Sequence, residues 1–329
     1  MLNPFPVVIG AALADIPLAP VGPGVFDAHS TPVERVAMHV GGDAANEALA
    51  LARLGHAPAL VSKVGQDAAG DFVLNALTAA GVNTAPVLRD PNIDTSINIV
   101  LVRADGERSF ITGRTGSLRR LALADILPAL DSPALQGATV ACLASLFVSP
   151  MLTIPDTIAL FDALKARGLT LCADTTRPKR GETVREARDM LSRLDYFFPN
   201  RAEAAQLTGE SDPDHAADAL LDCGVRHVAV KLGAEGCLVR SRHERHLIPA
   251  YPVSLCIDTT GAGDTFAAGF IAALLEGKSL PDCARFANAA ASLCVESVGA
   301  NAAPWTRADV DSRSQKPSPL GKVSRRTAP

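Results

Sequence analysis

The chain has 329 residues, 48% hydrophobic and 20% charged, with a formal net charge of -4. That is enough apolar material for one large α/β domain or two small ones, which excludes a disordered scaffold, and the weakly acidic balance shows no sign of a strongly basic nucleic-acid surface. No apolar run reaches the roughly 18 residues of a membrane span, and the first ten residues lack a leader pattern, so the expectation is a cytoplasmic protein without nucleic-acid or membrane partners.

Residues 7–10 form a short apolar run ending in Gly, which suits a buried strand, and residues 33–40 alternate loosely as a second. Residues 44–54 are rich in Ala and Leu and end at Gly55, the pattern of a helix and its C-terminal stop. A strand is expected at 59–64 and a helix at 67–80, closed by Gly81. Segments 96–103 and 107–112 flank Ala-Asp-Gly at 104–106, a hairpin signal because Gly supplies the positive φ of the turn. From Leu121 onward, helical stretches near 121–130, 153–167, 183–193, 200–208 and 213–222 alternate with short apolar runs at 138–143, 169–173, 196–198 and 226–231. Such alternation implies an α/β fold with a mainly parallel sheet flanked by helices. Two helices follow, 264–276 and 280–296. The early strand and the hairpin are expected to form a small β-sheet lid, from about 11–42 and 92–115, on a domain spanning 1–309. Residues 310–329, rich in Ser, Pro, Lys and Arg, are expected to be a disordered tail. The seven cysteines show no C-x-x-C pair and no zinc-finger spacing to His, and read as reduced thiols, most of them buried.

The chemistry concentrates at Asp258-Thr-Thr-Gly-Ala-Gly-Asp264, between a strand-like run at 253–257 and an apolar helix. Gly261, Ala262 and Gly263 are small enough for a ligand to approach the backbone. Their N–H groups would point from a helix N-terminus, where partial positive charge collects and an anion is favoured. Asp264 has two readings: a helix-start carboxylate that complements the dipole, or a general base that takes the proton of an attacking hydroxyl. An anion hole beside an acceptor is what phosphoryl transfer to an alcohol needs. Rival motifs fail on spacing. Gly277-Lys278-Ser279 ends like a Walker A loop, but Ala272 stands where its first glycine belongs, and Phe266 occupies the third glycine position of a Rossmann fingerprint.

These residues resemble the ribokinase-like, or phosphofructokinase-B, carbohydrate kinase family. Asp258 to Asp264 looks like its C-terminal signature, and His39-Val-Gly-Gly-Asp-Ala-Ala-Asn46 looks like its N-terminal one. The resemblance covers residues 7–309. It implies the family fold, a central mainly parallel sheet with helices on both faces and a small β lid. ATP and Mg2+ are implied as cofactors, with Asp264 as base and the amides of Gly261, Ala262 and Gly263 as anion hole. Asn200-Arg-Ala-Glu203 matches a motif that organises magnesium and phosphates through water. Read alone it is a helix capping box, and the two roles are compatible. Lys231, Gly233 and Gly236 resemble a nucleotide-binding turn, where a plain β-turn is the alternative, and Asn288 falls near the adenine. Many members bind a monovalent cation such as K+, which would place Asp258, Thr260, Val295, Val298 and Ala300 around it. Asp15, Gly41, Gly42 and Asn46 match sugar contacts. Asp43 replaces the Lys of ribokinases, Leu13 a polar contact and Ala144 a Glu, departures that turn the reading away from ribose. Arg114 matches a carboxylate-binding Arg of ketodeoxygluconate kinases, and 103–110 has the look of the fructokinase and ketodeoxygluconate branch. The expected activity is therefore phosphorylation of a sugar or sugar acid, with a homodimer through paired lids. A nucleoside kinase and a non-catalytic sugar-binding protein are the alternatives, the first disfavoured by an aromatic content of 4% and the second by the intact Asp264, Asn200 and Glu203.

Overall fold

The computed structural model describes residues 4–103, 108–297, 299–301 and 304–316. The expected turn at 104–106, the cation ligand Val298 and residues 317–329 lie outside the described residues. The chain opens with β1 (Phe5–Ile9), β2 (Leu13–Ala19), β3 (Arg35–Val36) and β4 (His39–Gly41), then α1 (Asp43–Arg53). Next come β5 (Ala59–Val61), β6 (Lys63–Gly65), α2 (Ala68–Ala79), β7 (Leu88–Asp90), β8 (Ile97–Val102) and β9 (Arg108–Thr112). The alternating half follows: α3 (Leu123–Leu130), β10 (Ala138–Leu146), α4 (Ile154–Ala166), β11 (Thr170–Thr175), α5 (Arg188–Leu191), β12 (Tyr196–Phe198), α6 (Arg201–Thr208), α7 (Pro213–Asp222) and β13 (His227–Lys231). The last elements are β14 (Cys237–Ser241), β15 (Arg245–Ile248), α8 (Ala262–Leu275), α9 (Leu280–Cys294) and α10 (Arg307–Ser314).

An eight-stranded sheet runs in the order β15-β14-β13-β12-β11-β10-β1-β5, parallel from β13 to β5 and antiparallel at β14 and β15. Its strands are apolar on both faces because helices cover both. In β1, Val8 enters the core formed with α1, α8 and α9, while Val7 and Ile9 enter the one formed with α3, α4, α6 and α7. Each buried Leu, Ile or Phe contributes about 1.5–3 kcal/mol, which outweighs the modest helix propensity of the small-residue helix α8.

The second sheet is separate, in agreement with the expectation from the early strand and hairpin. It runs β3-β2-β8-β9, with β4 also pairing β2. Register sorts its residues by face, since successive side chains of a strand point to opposite sides. Asp15 pairs with His39 and Asn98, Asn98 with Thr112, and Val102 with Arg108, so one face carries the polar groups, with Val100 and Phe110 paired among them. Ile16 pairs with Ile99, Leu18 with Val36 and Leu101, and Ile99 with Ile111, so the other is apolar.

Several sequence expectations need correction. The run 253–257 forms no strand; it follows Pro252 irregularly, with Leu255 and Ile257 exposed. The expected strand 59–64 is two strands in different sheets, and 33–40 is two short ones. Of 183–193 only α5 is α-helical; Thr183 and Glu186 bond each other in the turn that precedes it. The tail boundary at 310 falls inside α10, where Thr306 caps the helix and Val310 is fully buried.

Candidate active site

The C-terminal ends of the parallel strands, where α/β sheets place their ligands, open into a cleft of about 710 Å³. Asp174 lies near the end of β11 and Lys231 ends β13; Asn200 follows β12, and α8 enters from the opposite wall. The start of α8 explains its glycines. Gly261 has φ +72°, and Ala300 packs where a side chain on it would stand. Lys231 Nζ lies 3.3 Å from where a side chain on Gly263 would begin, so any larger residue would meet the ammonium.

Asp264 lies half-buried in the first turn of α8, and Asn46 Nδ2 donates to its Oδ2 at 2.7 Å. Asn46 is itself fixed: its Oδ1 accepts from Asn301 Nδ2 at 2.7 Å, and the Asn301 carbonyl accepts from Arg53 at 2.9 Å. Burial, with Asp43 and Asp174 nearby, pushes the Asp264 carboxyl well above its ordinary value; the Asn46 bond and Lys231 pull it back. Asp43 is raised to about 6 by burial and by Asp174. Lys231 donates to both oxygens of Asp174 at 2.7 Å, and although burial opposes its charge, Asp174, Glu203 and Asp264 hold its pKa above the ordinary value. A lysine kept charged within an acidic cleft, beside the start of α8, where the Ala262 N–H donates to Thr259 O at 3.2 Å, suits a polyanion such as a nucleotide's phosphates.

Asn200 and Glu203 form the capping box that their spacing in the sequence implies. Asn200 Oδ1 accepts from Glu203 N at 2.9 Å, and Glu203 Oε2 accepts from Asn200 N at 2.8 Å. Both line the cleft, as do Gly233, Gly236, Ala262 and Asn288, whose Nδ2 donates to Ile248 O and Pro249 O. Asp15 accepts from Asn98 at 2.9 Å and lies over Gly41, its carboxylate where a side chain of that residue would project. Arg114 follows β9, is exposed, and does not line the cleft.

Sequence reasoning missed three residues. Asp174 carried a signal, an Asp at the end of an expected parallel strand. Glu47, fully buried and with the Cys142 thiol beside its carboxylate, reads in sequence as an ordinary helix Glu. Arg108, on β9 of the small sheet, pairs with Asp258 in the loop before α8. Six of the seven cysteines are buried; Cys256 is exposed.

A two-faced, mainly parallel sheet, a separate second β-sheet and a half-buried Asp264 carboxylate at the glycine-rich start of α8 are the features expected of a kinase of small hydroxylated molecules. The chain belongs to the pfkB family of carbohydrate kinases, whose model matches residues 4–307. It is a phosphotransferase that acts on sugar hydroxyls. A ribokinase of Arabidopsis thaliana is 33% identical over 270 residues, covering 79% of this chain and 68% of that one. A 2-dehydro-3-deoxygluconokinase of Bacillus subtilis is 30% identical over 267 residues, covering 78% and 81%. The solved structure of Arabidopsis thaliana ribokinase complexed with ribose and ATP superposes with TM-score 0.78 at 28% identity, covering 96% and 100%. An E. coli structure in complex with ATP and Mg2+ superposes with TM-score 0.80 at 25% identity, covering 95% and 99%.

Proposed function

We propose that the chain transfers the γ-phosphoryl group of ATP to a hydroxyl of a sugar or sugar acid, fructose-like or 2-keto-3-deoxygluconate-like rather than ribose. The observation that carries the reading is the half-buried Asp264, oriented by Asn46 at the mouth of α8. In this reading Asp264 takes the proton of the acceptor hydroxyl, and the amides of Gly261, Ala262 and Gly263 face the charge that builds on the transferring group. Lys231 meets the phosphates from the opposite side. Magnesium on the nucleotide neutralises phosphate charge. Asn200 and Glu203 would hold it through water, which fits their place on the cleft wall; among the described residues, no set of three His, Cys, Asp or Glu side chains is placed to cage a metal directly. Asp15, Gly41 and Gly42 would receive the acceptor's hydroxyls under the small sheet acting as a lid, with Arg114 beside a carboxylate where one is present. The K+ expected at Asp258 does not fit, because that carboxylate is already paired with Arg108, and no step runs through it.

The same proposal includes a cytoplasmic location, in keeping with seven free cysteines, and pairing of two copies through their lids. Among the described residues no helix is long and apolar enough to cross a membrane. The test is ATP-dependent product formation across neutral sugars, sugar acids and nucleosides. Turnover of a ketose or keto-acid above ribose supports the reading; turnover of nucleosides alone, or none with any acceptor, refutes it.

A further inference from the structure

The carboxylate of Asp258 lies 7% exposed behind the glycine loop and shapes it. Its Oδ1 accepts from Thr260 N at 2.7 Å and its Oδ2 from Gly299 N at 2.6 Å, so both loops beside the anion hole hang from one side chain. The remaining demand of this buried anion is a positive charge. Arg108, from edge strand β9 of the small sheet, supplies it: its guanidinium pairs with Asp258 Oδ1. Carbonyls that would otherwise turn toward a cation are engaged by the chain. Val295 O accepts from Ile257 N at 2.8 Å and Asp258 N at 3.2 Å. The Cys294 thiol lies 3.5 Å from Thr260 O and 3.7 Å from Ala300 O, and its one proton is donated to either of them in turn.

We propose that Arg108 is a positioning residue that does the work of a monovalent cation, neutralising Asp258 from the lid and so tying lid closure to the shape of the anion hole. The inference rests on the proposed function, since it takes the glycine loop as the anion hole and the small sheet as the lid. A guanidinium suits this role because it is charged at all working pH, and its planar fork can hold a carboxylate while being tethered to the element that must close. The polar face of the sheet carries Arg108 together with Asp15 and Asn98, so the side chain stands between the acceptor end of the site and the phosphate end. A free ion would make turnover depend on salt composition; a tethered one makes it depend on whether the lid is down.

The experiment compares wild type, Arg108→Lys and Arg108→Gln at fixed ionic strength in potassium chloride and in tetramethylammonium chloride. It reads kcat, KM for each substrate and melting temperature. Wild type is expected to turn over equally in both salts, within about twofold, and to melt at the same temperature in both. Arg108→Gln should lose about tenfold to a hundredfold in kcat, the loss that a misplaced catalytic group causes, with a smaller change in KM for ATP. Added guanidinium or potassium should recover part of the loss, and Arg108→Lys should fall between the two. A wild-type kcat or melting temperature that rises clearly with potassium overturns the proposal, as does an Arg108→Gln protein with wild-type kcat. If no acceptor is phosphorylated, the proposed function fails separately, and the melting arm still decides. Salt-independent melting of the wild type together with potassium-dependent melting of Arg108→Gln then supports the substitution of arginine for an ion. Should Arg108→Gln not fold, the wild-type salt comparison and Arg108→Lys carry the decision.

Discussion

Asp264 is placed where its charge is costly to the fold and, under the proposed function, needed for the reaction. Its carboxyl is raised by burial and by Asp43 and Asp174, so the folded state binds its proton more tightly than the unfolded chain. Such a group adds stability at acidic pH and loses it as pH rises through the folded value. Asp264→Asn should therefore melt no lower than wild type near neutral pH, while kcat falls about 10²–10⁴-fold. A carboxylate that merely complemented the helix dipole would show the reverse, a small loss of stability with activity kept. Asp43 gives a second test. Its folded value of about 6 against an ordinary 3.8 means that its stabilising contribution is complete below pH 3.8 and is lost as pH rises through about 6. Asp43→Asn should raise the melting temperature at pH 7–8 but not near pH 4. It should also shift the rising limb of kcat/KM to lower pH, because Asp43 is among the causes that raise Asp264. A melting difference unchanged between the two pH values would contradict the placement. At this scale the glycine loop, Asp264 and the Asn200 cap were legible because each is a local pattern. The Lys231–Asp174 and Asn46–Asp264 bonds, which close over sequence separations of 57 and 218 residues, were not.

Elements with a clear period were read correctly, and those held by tertiary context were not. Strand β2 was missed because Pro17 interrupts it and because Asp15 breaks an otherwise apolar run. Its pairing with β8 on one side and β3 and β4 on the other makes it a strand all the same. Strands β14 and β15 were missed because their outer positions are Arg, Ser and His, as befits the antiparallel edge of the large sheet. Helix α10 was hidden in a polar, basic composition, since only Val310 faces the core. Its other ties are polar and mostly charged: Arg307 pairs with Glu276 and Asp311, Arg313 with Glu296, and the Tyr251 hydroxyl donates to Ser314 O. If α10 belongs to the folded unit, Val310→Ala should destabilise it by about 1.5–3 kcal/mol, from lost methyl burial plus a small cavity. Equilibrium denaturation with an unchanged midpoint would return these residues to the tail that their composition implies.

For the whole molecule, the two faces of the small sheet meet different surroundings. The face with Asp15, Asn98 and Arg108 is the one from which Arg108 reaches Asp258; the other carries Ile16, Leu18, Val36, Ile97, Ile99 and Ile111. Val36, Ile97 and Ile111 are 63%, 39% and 53% exposed, a contiguous apolar surface on a sheet whose outer strand β9 also leaves an edge unpaired. Such a surface is costly to leave in water, and a second copy offers the same surface by symmetry. The expected assembly is a dimer in which lid packs on lid, with the catalytic clefts outside the contact. Ile111→Glu would bury a carboxylate against its own copy across the axis, and sedimentation at micromolar concentration should show it as a monomer where wild type is a dimer. Because Ile111 points away from Asp15 and Arg108, the monomer's loss should appear mainly in KM for the acceptor, through a looser lid, rather than in KM for ATP. A wild-type protein that sediments as a monomer would remove the interface. An Ile111→Glu dimer would move it elsewhere on the surface.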